Sequence, residues 1–276
     1  MTVSSIYQVT RRTFLIEVSR GVFAIAILGT GIVAACSTTG GESSTTSGEE
    51  TPTSGVDPTT STTAEETTTT EASGGVTVQR VALGGVAAYV LVRGREAVIV
   101  DTGNPGDADD IEAGLSEVGL GWNDVGNVIL THRHPDHVGS LGPVMDGAAQ
   151  ATGYVGGADI PSINAPRPLT PVGDGDTVFG LSIIDTPGHT EGSISVYDPL
   201  ASVLVVGDAM NGRGGGVSGD ASGVAGANPR FTSDMEQAAE SIKKLAGLEF
   251  DSLYFGHGEP LEGNASRLVG ELAAEL

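Results

Sequence analysis

Thr131-His132-Arg133-His134-Pro135-Asp136-His137 is the most informative stretch of the chain, with three of its five histidines in six residues. It directly follows Val128–Leu130, a short apolar run that reads as a strand. Residues two apart in an extended segment project to the same side, so His132 and His134 can reach one ion. Asp136 and His137 continue into a turn and a helix start and can face a second ion. Imidazole and carboxylate are ligands that zinc takes at about 2.0–2.2 Å.

The other two histidines lie far away in sequence but in similar settings. His189 follows the expected strand Leu181–Asp185, within Thr186-Pro187-Gly188-His189-Thr190. His257 follows Ser252–Phe255, within Gly256-His257-Gly258, and Asp208 follows Ser202–Val206, within Gly207-Asp208-Ala209. Four strand ends thus each deliver a metal-type side chain on a Gly-bearing or polar loop, and rigid strands carrying ligand loops are how precise sites are built. Each residue alone has a plainer reading. A lone histidine is often a hydrogen-bonded core or surface residue, and an aspartate after a strand can simply cap a turn.

Taken together the motifs resemble the metallo-β-lactamase superfamily. The H-x-H-x-D-H signature is His132 to His137, followed in family order by Thr186–Thr190, Gly207-Asp208 and Gly256–Gly258; Asp101-Thr102-Gly103 matches an earlier family motif. The resemblance implies an α/β fold, the four-layer αββα sandwich, with the site at one edge of its two sheets. It also implies a ligand set. His132, His134 and His189 would hold one ion, Asp136, His137 and His257 a second, and Asp208 would bridge them, with Asp136 also a candidate catalytic residue. The implied activity is that of a hydrolase holding two Zn2+ per chain. It would cleave an ester, thioester or lactone bond of a small-molecule substrate with a metal-bridging hydroxide.

Departures narrow the branch. No cysteine lies near the site, unlike β-lactamases with a cysteine ligand, and the Asp208 bridge is closer to glyoxalase II and lactonase relatives. Asn211 stands where some lactonase-type relatives carry tyrosine. Two other readings remain: a mononuclear-iron persulfide dioxygenase of the same fold using His132, His189 and Asp208, and a non-catalytic lipoprotein that binds zinc or a ligand. Asp101 reads as a supporting residue, and Arg213 as a solvated loop side chain. The loop from Asn211 to Gly226, rich in Gly, Ser and Ala, is expected to arch near the metals as a flexible rim over a small or polar substrate.

Around this site the chain alternates short strands with helices. Further strands are expected at Val86–Val92, Ala97–Val100 and Ile194–Tyr197. Helices are expected at Asp107–Val118, Asn264–Leu276 and Ser233–Ala246, the last opened by a Ser233/Glu236 capping box with Met235, Ala239, Ile242 and Leu245 inward. Leu268, Leu272 and Leu276 form the expected inward stripe of the helix from Asn264. Thirteen basic residues face 35 acidic ones, for a net charge of −22. That excludes the positive face nucleic-acid binding needs and matches an extreme halophile's protein, kept solvated by carboxylates.

Residues 1–36 read as an address. Arg11-Arg12 resembles a twin-arginine export signal, Gly21–Ala35 is a charge-free run too short for a bilayer span, and Val33-Ala34-Ala35-Cys36 resembles a lipobox. The expectation is export and attachment through a lipid on Cys36 to the outer face of the cytoplasmic membrane. Residues 37–75 hold 21 Ser or Thr, seven acidic and no basic residues, and read as a disordered stalk. Residues 76–276 read as one domain, with ten basic and 27 acidic residues. Nothing in the pattern specifies an oligomeric state.

Overall fold

Strand side chains alternate between two faces, and in this protein both faces of each main strand are apolar. Each sheet must therefore be covered on both sides. The computed structural model describes residues 74–217 and 223–276. The expected signal, Cys36 and nearly all of the expected stalk lie outside the described residues.

The first sheet contains β1 (Thr77–Leu83), β2 (Val86–Arg93), β3 (Glu96–Val100), β4 (Val125–Leu130), β5 (Thr152–Gly156) and β6 (Thr170–Val172), ordered β1-β2-β3-β4-β5-β6. The second contains β7 (Thr177–Val178), β8 (Leu181–Asp185), β9 (Ile194–Asp198) and β10 (Val203–Val205). After the hairpin of β11 (Met210–Gly212) and β12 (Val224–Gly226), it is completed by β13 (Ser252–Tyr254) and β14 (Leu261–Glu262), in the order β14-β13-β10-β9-β8-β7. The helices are α1 (Ala108–Glu117), α2 (Pro135–Val138), α3 (Leu141–Gly147), α4 (Met235–Leu245) and α5 (Ala265–Glu275).

Alternation sorts the side chains into three apolar layers. Ala88 and Val90 of β2, with Ile99 of β3, face Ile111 and Leu115 of α1 and Leu141 and Val144 of α3. Ala87, Tyr89, Leu91, Val98 and Val100 point the other way, against Leu181, Ile183, Val196 and Val205 of the second sheet. The far face of that sheet, Leu204 and Leu253, packs on Ile242 and Leu245 of α4 and Val269 of α5. Helices, sheet, sheet, helices: this is the four-layer αββα sandwich. Full burial of one such aliphatic side chain contributes roughly 1.5–3 kcal/mol, so the layers carry the fold.

All seven expected strands are present, with ends shifted by three residues at most. Two helix readings need correction. The cap of α4 is Asp234, whose side chain accepts from the Gln237 amide at 3.0 Å, not Ser233. Ser233 and Asp234 instead donate their backbone N–H groups to the carbonyls of His189 and Gly188, 3.1 and 2.9 Å away, so the chain entering α4 straps down a site loop. The buried face accordingly starts at Ala238 and continues through Ser241, Ile242 and Leu245, leaving Met235 43% exposed. In α5, Ala265 and Val269 are buried and Leu276 is half exposed, so the inward stripe lies one residue from the expected one.

The two sheets are joined where the loops leave them. β10 and β13 run parallel, so Gly207-Asp208 and Gly256-His257 exit at the same end. β3 and β4 are also parallel, which brings Asp101 beside Thr131. Between sheets, the Ala87 amide donates to the Gly256 carbonyl (2.9 Å), the Ile194 amide to the Thr131 carbonyl (2.9 Å), and the Tyr89 hydroxyl to the Phe255 carbonyl (2.6 Å).

Candidate metal centre

The loop after β4 passes through extended backbone at His134 and turns into α2 at Pro135, which suits the first helical position because its missing N–H has no partner to lose there. His132 and His134 therefore share a side. The His134 Nδ1 lies 3.0 Å from His132 Nε2 and 2.9 Å from His189 Nε2. One turn on, His137 Nε2 lies 3.3 Å from Asp208 Oδ1. Asp208 Oδ2 stands 3.4 Å from both His189 Nε2 and His257 Nε2, and Asp136 Oδ2 is 3.2 Å from His257 Nε2. Three sets of ligand atoms each fall within 4.8 Å: His132, His134 and His189; His132, His137 and Asp208; Asp136, His137 and His257. All seven residues singled out in the sequence are thus brought together.

In four of the five rings the nitrogen that points away from this cluster has a fixed acceptor. The His137 Nδ1 reaches Asp101 Oδ2 at 2.7 Å, His257 Nδ1 the Gly85 carbonyl at 2.6 Å, and His189 Nδ1 the Thr232 hydroxyl at 3.1 Å. Thr232 gives its own proton to the Asn228 carbonyl. His132 Nδ1 lies 3.1 Å from the Thr131 hydroxyl, whose proton goes to Asp101. His132 and His189 thus carry hydrogen outward and turn a lone pair inward, and His137 and His257 are oriented to do the same once the inward proton is displaced, the arrangement that orients a metal-binding imidazole. His137 Nε2 and Asp208 Oδ1 are buried and have no hydrogen-bond partner. Buried polar atoms left unpaired are costly, and a shared cation is the partner that this donor set fits.

The electrostatics divide the cluster. Burial holds His132 well below the ordinary histidine range, brings His189 down to about 4 and lowers His134. Burial also pulls on His137 and His257, but carboxylates win. Asp208 and Asp101 raise His137 well above the ordinary value, and Asp136 and Asp208 raise His257 to about 10. Asp136, hydrogen-bonded to His257, is lowered, and Asp208 is held well below the carboxylate range by His137 and His257 despite its burial.

Several supporting residues gave little or no sequence signal. Asp101, noted only as supporting, adopts a left-handed backbone (φ 62°) while buried, and accepts from the Thr131 amide and hydroxyl, each at 2.7 Å. Asp159 stands in no motif that marks it in the sequence. Fully buried, it accepts from the Arg133 amide (2.9 Å), the Thr190 hydroxyl (2.7 Å) and the Gly192 amide (3.0 Å), tying the first histidine loop to the His189 loop. Gly256 has a plain reason to be glycine: a Cβ there would run into Asp208 Oδ1 and His137 Cε1. Of the loop from Asn211 to Gly226, expected as a flexible rim, residues 218–222 lie outside the described residues. Its two ends pair as β11 and β12, with Asn211, Val224 and Ala225 buried. Arg213 is exposed, as expected.

The comparisons agree with this construction. The sequence profile described as the metallo-beta-lactamase superfamily matches residues 81–257. The probable metallo-hydrolase YflN of Bacillus subtilis is 30% identical over 218 residues, spanning 65% of this chain and 82% of that protein. A hydroxyacylglutathione hydrolase of Brucella ovis is 32% identical over 182 residues, 64% of this chain and 63% of that protein. Among solved structures, a metallo-beta-lactamase family protein from Thermus thermophilus superposes with a TM-score of 0.56 at 23% identity, covering 73% of this chain and 79% of that one. Another, TTHA1623 in a di-iron-bound form, gives 0.51 at 26% identity over 68% and 92%. A fold that binds metal ions, a cluster of histidines and aspartates at its sheet edge, and a profile spanning that whole region place this chain in the metallo-beta-lactamase superfamily.

Proposed function

We propose that the protein is a zinc-dependent hydrolase that holds two ions and cleaves an ester, thioester or lactone bond of a small molecule. The observation that carries this is the position of Asp208, between an all-histidine trio and a second trio containing a carboxylate. His132, His134 and His189 would hold one ion, Asp136, His137 and His257 the other, and Asp208 both. When bound, such ions supply Lewis acidity and make a water-derived nucleophile available near neutral pH. The chain's own residues do the rest. Asp101, Thr131, Thr232 and the Gly85 carbonyl hold the imidazole protons outward. Asp136, partly exposed beside a cavity of about 320 Å³, is ionised and positioned to accept a proton from the attacking water. The relatives named metallo-hydrolase and hydroxyacylglutathione hydrolase support a hydrolytic reading.

Metal analysis of the purified protein, followed by a panel of an ester, a lactone, a thioester and a β-lactam in high salt, tests it. Two zinc ions per chain with hydrolysis of a panel member is the expected result. One iron per chain with no hydrolysis would favour the persulfide dioxygenase reading, and bound zinc without turnover a binding protein. We further propose that the hydrolase is exported and lipid-anchored at Cys36, supported by the order of Arg11-Arg12, the charge-free run and Val33–Cys36.

A further inference from the structure

β4 and β5 run parallel, so the loop carrying His132 and His134 and the short 3-10 helix Gly157–Ser162 leave the first sheet at the same end. Asp159 lies in that helix, fully buried, and its two oxygens serve the two loops that supply the all-histidine trio. Oδ2 accepts from the Arg133 amide at 2.9 Å and the Thr190 hydroxyl at 2.7 Å, and Oδ1 from the Gly192 amide at 3.0 Å and the Arg133 guanidinium. Arg133 stands between His132 and His134, and Thr190 directly follows His189. One carboxylate therefore holds a chain neighbour of each of the three histidines.

The approach is close enough to demand glycine on both sides of it. A Cβ on Gly192 would lie 2.6 Å from the Asp159 amide nitrogen, and one on Gly156 would run into the Gly192 carbonyl. His134 depends most on this hold. The other four rings have partners for their outward nitrogens, but among the described residues no such bond fixes the His134 ring. Its place is set by its backbone, and the adjoining Arg133 amide ends on Asp159. Hydrogen bonds to an ionised acceptor are roughly twice as strong as neutral ones, so the tie is stiff. None of the described hydrogen bonds of Asp159 goes to Asp136, His137, Asp208 or His257.

Resting on the two-ion reading above, we propose that Asp159 is a positioning residue for the first ion alone. It acts through Arg133 and Thr190 to keep His132, His134 and His189 converged, while the second ion's ligands are held without it. Supporting residues of this kind change metal affinity by roughly 10–100-fold.

The test titrates the metal-free full chain with zinc against a chromophoric chelator. Anomalous scattering from crystals grown at limiting zinc locates the ion that remains. Asp159→Asn keeps the shape and loses the charge and half of the acceptors. We expect the first ion to weaken by roughly 10–100-fold, with the remaining zinc at Asp136, His137 and His257. Thr190→Val removes one of the four bonds and should weaken the same ion by roughly two- to tenfold, while Thr190→Ser, which keeps the hydroxyl, should bind as the wild type does. These two variants decide the matter if Asp159→Asn does not fold. Equal weakening of both ions, or wild-type affinity for the first, overturns the proposal and leaves Asp159 a structural tie, with the hydrolase reading intact. Equal behaviour of Thr190→Val and Thr190→Ser also overturns it. A wild-type chain that takes up no zinc at His132, His134 and His189 overturns both readings.

Discussion

The two halves of the metal centre are built from similar residues and are electrically unlike. His132, His134 and His189 are held neutral chiefly by burial, with lone pairs ready. His137 is buried and His257 partly so, but Asp101, Asp136 and Asp208 raise both above the ordinary histidine range. Desolvation and nearby charge oppose each other for an imidazole, and the number of carboxylates within reach decides which wins. A cation entering the first half displaces almost no protons at neutral pH. One entering the second half must displace them, and gains two carboxylates in exchange.

Asp208 joins the halves, so its removal should have the largest effect. Asp208→Ala takes one negative charge from between two cations, and the ion held by fewer histidines should leave first. We expect about one zinc per chain and a loss of hydrolysis of roughly 10²-fold or more, the scale of removing an electrostatic element of the transition state. Atomic absorption and steady-state kinetics check this. Two zinc ions with full activity would return Asp208 to the role of a turn residue.

Asp101→Asn sharpens the comparison from outside the ligands. The change removes the anion that receives the His137 Nδ1 proton at 2.7 Å. Supporting residues of this kind are worth roughly 10–100-fold in metal affinity. The second half should weaken by that factor. The His134 and His189 contacts, which Asp101 does not touch, should keep the first ion in place. Competition with a chelator, read separately for each ion, would show whether the weakening is confined to one half.

Acidity separates the halves in a third way. A raised pKa means the ring is protonated at neutral pH before metal binds, so protons compete with metal and affinity falls as pH drops. Occupation of the second half should release about one proton from each of His137 and His257, and its affinity should keep rising with pH up to about 10, where His257 loses its proton in the metal-free chain. The first half, with His189 brought down to about 4, should show little change from neutral pH upward. Calorimetry in buffers of different ionisation enthalpy counts the protons. Equal release at both sites would erase the distinction.

The smallest effect is expected at the surface. The net charge of −17 over residues 76–276 repels itself through water, where molar salt shortens the Debye length to about 3 Å. The buried centre is screened far less. Melting temperature should rise in molar KCl relative to dilute buffer while the order of metal loss stays unchanged. A flat melting profile would reject the halophilic reading.

Much of this was legible along the chain. His132, His134, Asp136 and His137 are close in sequence, so local geometry alone puts their side chains near one another. The motifs at Asp208, His189 and His257 sit after apolar β-branched runs, whose short strands read directly. Strands punctuated by helices pointed to an α/β fold, and the family resemblance to its four layers. These are local properties, and neighbouring residues determine them. What tertiary structure decided depends on distance through space. Asp159 is separated by more than 20 residues from each loop it ties, Thr232 by 43 from His189, and the Gly85 carbonyl by 172 from His257. The start of α4 passed to Asp234, while Ser233 and Asp234 direct their amides to the His189 loop; Ile242 and Leu245 face inward as expected, and Ala238 rather than Met235 and Ala239 begins the buried face. Phe231, one aromatic residue in a polar stretch, comes to line one cavity with four of the metal ligands only through the fold. The electrical division of the centre has the same origin, because burial and neighbouring charge belong to the packed chain rather than to any segment of it.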